Sequence, residues 1–242
     1  MTRILAAHAV VNRGVIMEYD RIHHGVFLRR PNRFVAEIEI NGKVEICHVK
    51  NTGRCRELLV PGARVFVNES KNPARSTKYD LISVWKGDRL INMDSQAPNH
   101  VFLEYLRQSD FIDEITFVKS EAKYGGSRFD FYLETESRKI FIEVKGVTLE
   151  ENNVALFPDA PTLRGVRHLN DLARCVADGY EAYVVFVIPM WDVSYFTPNY
   201  KTHPEFGAAL ADAIKAGVTA VAFDCVITAE SITVNDYVPI KL

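Results

Sequence analysis

Glu143 and Lys145 stand two apart in the run Lys139-Ile-Phe-Ile-Glu-Val-Lys-Gly-Val147, whose remaining members are mostly apolar. Such a run reads as a strand, on which successive side chains point to opposite faces. Ile140, Ile142 and Val144 then share one face, and Phe141, Glu143 and Lys145 the other. A carboxylate and an ammonium inside a core strand cost on the order of several kcal/mol unless a partner or a metal offsets them. Upstream, Ser127-Arg-Phe-Asp-Phe-Tyr-Leu133 alternates too, with Phe129, Phe131 and Leu133 expected on one face and Arg128, Asp130 and Tyr132 on the other. The polar stretch Glu134–Arg138 between the two runs has hairpin length. Antiparallel pairing across it brings Asp130 to the Glu143/Lys145 end. Two hard oxygen donors and one cation suit Mg2+ or Mn2+ acting on a phosphate. Asp130, Glu143 and Lys145 are therefore the candidate catalytic residues, with Lys145 orienting a water or offsetting charge in the transition state. A cross-strand ion pair is the competing reading of Glu143-x-Lys145, and Asp130 is what weighs against it.

The elements that must hold these residues follow downstream. In Phe157-Pro-Asp-Ala-Pro-Thr-Leu-Arg-Gly-Val-Arg-His168, Pro161 suits a first helical turn, with Asp159 or Ala160 at the cap, and Gly179 suits the stop. Leu163, Val166, Leu169, Leu172, Ala173 and Val176 form the expected buried stripe, with Arg164, His168, Asp171 and Arg174 off it. Arg164 and His168 at the start of that helix are candidate phosphate contacts, while Asp171 and Arg174 read as a solvated face. Ala182–Ile188 is continuously apolar, as the interior of a sheet demands.

A helix at His100–Gln108, a three-strand meander, a second helix and a strand, with Asp130 on the second strand and Glu143-x-Lys145 on the third, resemble the PD-(D/E)xK nuclease core. More specifically, the chain resembles the sugar fermentation stimulation protein A family. The residues that carry this are His48-Val-Lys-Asn-Thr-Gly53, Pro98-Asn99, Glu121-x-Lys-Tyr-Gly-Gly-Ser-Arg-Phe-Asp130, Glu143-Val-Lys-Gly-Val-Thr-Leu149 and Phe157–Leu169. The resemblance implies a two-domain α/β (α+β) protein: an OB-like β-barrel over residues 1–97, with 1–20 as an extension, and a restriction-endonuclease-like core with a mixed sheet over 98–242. It implies DNA binding with little sequence preference and a regulatory role in sugar, notably maltose, metabolism. It also makes Glu121 the third metal ligand beside Asp130 and Glu143, in preference to Glu104. Because the resemblance begins after Tyr19, a chain starting at Met17 is expected to suffice.

Composition agrees. With 242 residues and 48% hydrophobic content the chain can bury one large or two modest cores. Cys47, Cys55, Cys175 and Cys225 lack metal-ligand spacing, so reduced thiols and a cytoplasmic location are expected. No apolar run approaches membrane-spanning length; Ile4–Val11 is short and interrupted by His8. The formal net charge of −2 hides an asymmetry: 14 Lys/Arg face 7 Asp/Glu from Arg21 to Arg89, against 13 and 22 over residues 90–242. A basic part beside an acidic one fits backbone binding by the first and metal chemistry by the second.

The basic part reads as short strands at 25–28, 33–40, 43–49, 64–68, 79–85 and 90–92, with Asn41-Gly42 a hairpin turn. That pattern suits an OB-like barrel, which binds oligonucleotides across one face. Phe27, Phe34, Tyr79 and Trp85 are candidates for base stacking, each weighed against core packing. His48, Asn51, Thr52 and Arg54 follow the third strand and, with Arg128, Arg164 and His168, complete the candidate nucleic-acid contacts for DNA, single-stranded DNA or RNA. Three classes follow: a DNA-binding regulator of nuclease-like architecture, which is the preferred reading; a divalent-metal-dependent nuclease cutting DNA or RNA; and a binding module on a fossil fold, which the intact Asp130, Glu143 and Lys145 disfavour.

Overall fold

The computed structural model describes residues 17–51 and 53–242. The expectations for residues 1–16 and for Thr52 lie outside the described residues.

After a two-residue strand β1 (Met17–Glu18), the chain builds a barrel from β2 (Ile22–Asn32), β3 (Val35–Ile40), β4 (Lys43–Val49), β5 (Arg64–Glu69) and β6 (Tyr79–Lys86), with β7 (Arg89–Asn92) added beside β6. Parallel pairing of β4 with β6, from Cys47↔Tyr79 to Val49↔Leu81, closes the five-stranded ring. All six strands expected from turn signals are present, and Asn41 and Gly42 both take positive φ (50° and 74°), as a tight hairpin turn between right-twisted strands requires. Alternation delivers Phe27, Ile38, Cys47, Val67 and Leu81 to the barrel interior. Among the stacking candidates, Phe27 and Tyr79 are core residues, whereas Phe34 is exposed beneath the Arg33 guanidinium and Trp85 lies half-buried beneath Arg64.

The second domain begins at α1 (Ala97–Gln108), whose Pro98 sits where a missing N–H costs nothing. Next come β8 (Phe117–Tyr124), β9 (Ser127–Glu134), β10 (Lys139–Gly146), β11 (Leu149–Glu151), β12 (Val154–Phe157), α2 (Leu163–Ala177), β13 (Glu181–Ile188), β14 (Tyr195–Pro198), α3 (Pro204–Lys215), β15 (Thr219–Ile227) and β16 (Ser231–Tyr237). One seven-stranded mixed sheet, ordered β1-β16-β15-β13-β10-β9-β8, carries α1 on one face and α2 with α3 on the other. Strands β10, β13 and β15 run parallel at its centre, which explains the unbroken apolar run in β13. Thus β1 belongs to this sheet through Met17↔Ile232, rather than to the barrel that follows it in sequence.

Two expectations about local structure are corrected. Helix α2 starts at Leu163, not in a turn containing Pro161: Thr162 is the cap, its hydroxyl accepting from the Gly165 N–H at 3.0 Å. Its buried face is also rotated. His168 and Asp171 lie inside, and Leu163 is 81% exposed. Asp171 is held there by the Ser127 hydroxyl at 2.5 Å and by Arg174 at 2.7 Å, so it is not part of a solvated face.

Candidate metal and phosphate site

The β9–β10 hairpin has the register that places the site. Lys139↔Glu134 through Ile142↔Phe131 pair antiparallel, so Asp130 comes opposite Glu143 just where the ladder ends. There the two strands part, and the Asp130 side chain takes over the bonding. Its Oδ2 accepts the Val144 N–H at 2.8 Å, and its Oδ1 accepts the Asn99 amide of α1 at 2.8 Å. Gly146 permits this approach of α1, since a Cβ there would stand 2.8 Å from the Pro98 ring.

The alternation expected for β9 fails at this point. Phe131 packs toward Phe102 of α1, but Phe129 lies on the other side of the sheet, against Phe141 and the His168 ring. The irregularity is shared across the strand: Glu121, between Ser120↔Phe131 and Ala122↔Phe129, has φ 56° and kinks β8 opposite Asp130. The kink turns Glu121 outward, where its carboxylate pairs with Arg128 at 2.7 Å, both side chains being exposed. The structure therefore does not bring Glu121 to Asp130 and Glu143. Nor is Glu104 there. It lies five residues beyond Asn99, about 140° round the helix.

Glu143 is 3% exposed. Its Oε1 receives Lys145 Nζ and, at 2.5 Å, His168 Nδ1. Arg164 Nε donates to the far ring nitrogen of His168 at 3.3 Å, a pattern that assigns the ring proton to Nδ1, facing Glu143. His168 is thus buried, and its role differs from the expected surface phosphate contact: it orients a carboxylate from behind. Arg164 is exposed at the rim. Glu143 Oε2 is buried with no hydrogen-bond partner among the described residues.

The two carboxylates titrate in opposite directions. Burial drives the Asp130 carboxyl above the ordinary aspartate range and the neighbouring Glu143 charge drives it further, against the Val144, Lys145 and Asn99 interactions. Burial also pushes Glu143 upward, but His168 and Lys145 outweigh it and leave its carboxyl below the usual range. A pair of carboxylates that crowd each other, one with an unused buried oxygen, is a fit for a small divalent cation that keeps several waters. Among the described residues no group of three or more His, Cys, Asp or Glu side chains gathers to form a fuller cage.

The barrel candidates sit elsewhere. His48 Nδ1 lies 3.2 Å from Asp80, the Asn51 side chain accepts the Gly53 N–H at 2.8 Å, and Arg54 is exposed with its backbone N–H bonded to Asp159 of the second domain at 3.0 Å. Part of the barrel's basic excess is spent on the domain junction: Lys50 binds Asp94 at 2.8 Å, and Lys86 and Arg89 bind Glu150 at 2.7 and 3.2 Å. The roles of Asn99, Asp159 and Glu150 escaped the sequence reading, because each pairs with a residue far away in the chain. His168 did carry a signal, the i, i+4 spacing from Arg164 that puts both on one helix face. The four cysteines are free and buried, and burial pushes the Cys47 and Cys55 thiols up to about 12. No described helix is long and apolar enough to cross a membrane.

Comparison with known proteins agrees with this layout. Residues 28–93 match the SfsA N-terminal OB domain and residues 96–231 the sugar fermentation stimulation protein RE domain. The sugar fermentation stimulation protein homolog of Desulfitobacterium hafniense strain Y51 is 62% identical over 226 residues, covering 93% of this chain and 99% of the relative. That of Ruminiclostridium cellulolyticum is 56% identical over the same length. Among solved structures, Pyrococcus furiosus SfsA in complex with Ca2+ superposes with a TM-score of 0.86 at 28% identity, covering 93% of this chain and 98% of that one. With both domains matched in order and nearly the full length of its relatives covered, the chain belongs to the sugar fermentation stimulation protein family.

Proposed function

We propose that the protein binds DNA through its barrel, with little sequence preference, and presents the bound backbone to a divalent cation held by Asp130 and Glu143. The observation that carries the cation in this reading is the buried Oε2 of Glu143, without a partner among the described residues, beside the crowded carboxyl of Asp130. An orphaned buried acceptor costs on the order of 1–3 kcal/mol and calls for a partner absent from the protein itself. Ca2+ in the Pyrococcus relative supports an oxygen-ligand cation as that partner.

Mg2+ or Mn2+ bound here would polarise a phosphoryl oxygen and lower the pKa of a water. The protein's own groups do the positioning. Asn99 and the Val144 N–H fix the Asp130 carboxylate, and His168 fixes Glu143 with its free oxygen turned away from the ring. Lys145 neutralises Glu143 and is placed to orient water or meet charge developing on the phosphate. Arg164 offers a guanidinium at the rim. Phosphodiester hydrolysis is the second reading, favoured by the convergence of Lys145 on the carboxylate pair, which simple DNA binding does not require. Incubating pure protein with single- and double-stranded DNA and RNA, with magnesium or manganese and beside a Glu143→Ala control, tests both. Binding without cleavage supports the first reading and Glu143-dependent cleavage the second. No association with any of the four nucleic acids would overturn both.

A further inference from the structure

The barrel loop after β4 is bound at one end to the connector that leads into α1 and at the other to the second domain, and each anchor adjoins one flank of the candidate site. At one end, Ser95 Oγ donates to the Lys50 carbonyl at 2.9 Å and Lys50 Nζ donates to Asp94 at 2.8 Å. These residues lead into α1, whose Asn99 holds Asp130. At the other end, the Arg54 N–H donates to Asp159 Oδ2 at 3.0 Å, just before the α2 turn whose Arg164 and His168 serve Glu143. Four residues of extended chain span at most roughly 14 Å, so the loop lies close to the leads into both helices.

Arg30 sets the shape of this connection. Its guanidinium donates to four backbone carbonyls, of Gly53 (2.9 Å), Arg54 (3.0 Å), Arg33 (2.7 Å) and Asn51 (2.7 Å), and among the described residues to no carboxylate. Cys55, buried in the core, fixes the exit. Gly53 packs so closely that a Cβ would stand 2.6 Å from Asp159 Oδ2 and 2.8 Å from Asn51 Oδ1. A guanidinium whose two terminal nitrogens bind only backbone carbonyls, a glycine with no room for a methyl and a carboxylate reaching across domains all serve one segment. Arg54, the exposed cation of that segment, makes no side-chain hydrogen bond or ion pair among the described residues, which leaves its guanidinium available to a phosphate.

We propose that Asp159 is a positioning residue: by latching Gly53 and Arg54 to the start of α2, it lines up the backbone held by the barrel with the Asp130–Glu143 site, so that the two domains bind one strand as a single surface. This rests on the function proposed above. Its thermodynamic mark is reciprocal coupling, in which a cation in the second domain tightens binding of a strand to the first.

The test measures the affinity of a single-stranded DNA of about a dozen nucleotides, a length within the range of one barrel site, in chelator and then in calcium, which keeps the readout independent of turnover. The parent is expected to tighten about tenfold with calcium, within the range of typical coupling. Asp159→Ala should match the parent in chelator and in its calcium-induced melting shift, yet tighten less than twofold. Asp159→Asn, which also loses the charge but retains an acceptor for the Arg54 N–H, should keep the coupling. Gly53→Ala, which pushes the segment off Asp159 from the other side, should lose it. A parent that neither binds the strand nor shifts with calcium overturns the proposed function and this inference together. A parent that couples, with an Asp159→Ala variant that couples equally, overturns the inference alone.

Discussion

Each domain buries a carboxylate among a histidine and cations, and the two clusters end differently. In the barrel, Asp80 receives Arg75 on both oxygens, at 2.9 and 2.5 Å, with His48 at 3.2 Å on one and Lys50 at 3.9 Å from the other. In the second domain, Glu143 takes His168 and Lys145 on the same oxygen and leaves the other empty. Burial pushes both carboxyls upward, and in both the partners win, so each lies below its ordinary range. Similar residue types therefore give a closed clasp in one place and an open ligand in the other. What separates them is geometry: the planar fork of Arg75 spans both oxygens, whereas the single ammonium of Lys145 meets one.

The largest effect should come from breaking the closed cluster. Asp80→Asn leaves Arg75 without its carboxylate and should cost about 3 kcal/mol, the lower end for breaking a buried pair. In a chain of this size that lowers the melting temperature by roughly 6–12 °C. Glu143→Gln in chelator should cost clearly less, because it also relieves repulsion on Asp130. If calorimetry shows the two variants falling equally, the distinction between clasp and ligand is wrong.

Next is the gain from metal. Manganese at a hundred times its dissociation constant should stabilise the parent by about 2.7 kcal/mol through mass action. Asp130→Asn should be neutral or stabilising in chelator but should abolish this gain, whereas Lys145→Ala should weaken the apoprotein and keep it. A full manganese shift in Asp130→Asn would sink the metal site.

Acid sharpens the comparison in smaller steps. Asp80 has a folded-state pKa below its ordinary 3.8, so its stabilisation is complete above that value and is lost as pH falls through the lowered one. The deficit of Asp80→Asn against the parent should shrink on that acid side. Asp130 works the other way. Its raised pKa means stability is lost as pH climbs from 3.8 through the raised value, so Asp130→Asn should gain on the parent across that interval in chelator. Urea midpoints against pH for the three proteins decide it, and parallel curves would refute both assignments.

The smallest effect concerns Arg54. For duplex DNA, Arg54→Ala should lower the slope of log affinity against log salt by about one, the contribution of one neutralised phosphate. An unchanged slope would remove Arg54 from the contact surface.

Much of this was legible in the sequence where local chemistry governs. A hairpin-length connector carried the register that brings Asp130 to Glu143, and Asn41-Gly42 marked the tight turn between β3 and β4 of the barrel. Failures came where a distant residue decides. The reversal of Phe129 goes with the positive φ of Glu121 on the neighbouring strand, and the same kink takes Glu121 away from the site. The inward turn of His168 and Asp171 reflects partners, Glu143 and Ser127, supplied by other strands. Leu163 resembled a stripe residue by spacing alone, while the Thr162 hydroxyl set where the helix begins.

The pairing of β1 with β16 has a consequence for how the molecule is assembled. During synthesis the barrel strands emerge together and can close on themselves, but the short strand ahead of them must wait for the last strand of the sheet. Contacts between residues so far apart in the chain form late, since loop closure must be met before they repay it. Tyr19 ties that first segment to Asn92 and Asp94 at the domain junction, so it waits beside the place it will fill. Cutting the chain between β7 and α1 would leave β16 with an unpaired edge, open to strands of other molecules. The second domain is thus discontinuous in sequence, its sheet complete only when a strand from before the barrel meets one from the end of the chain.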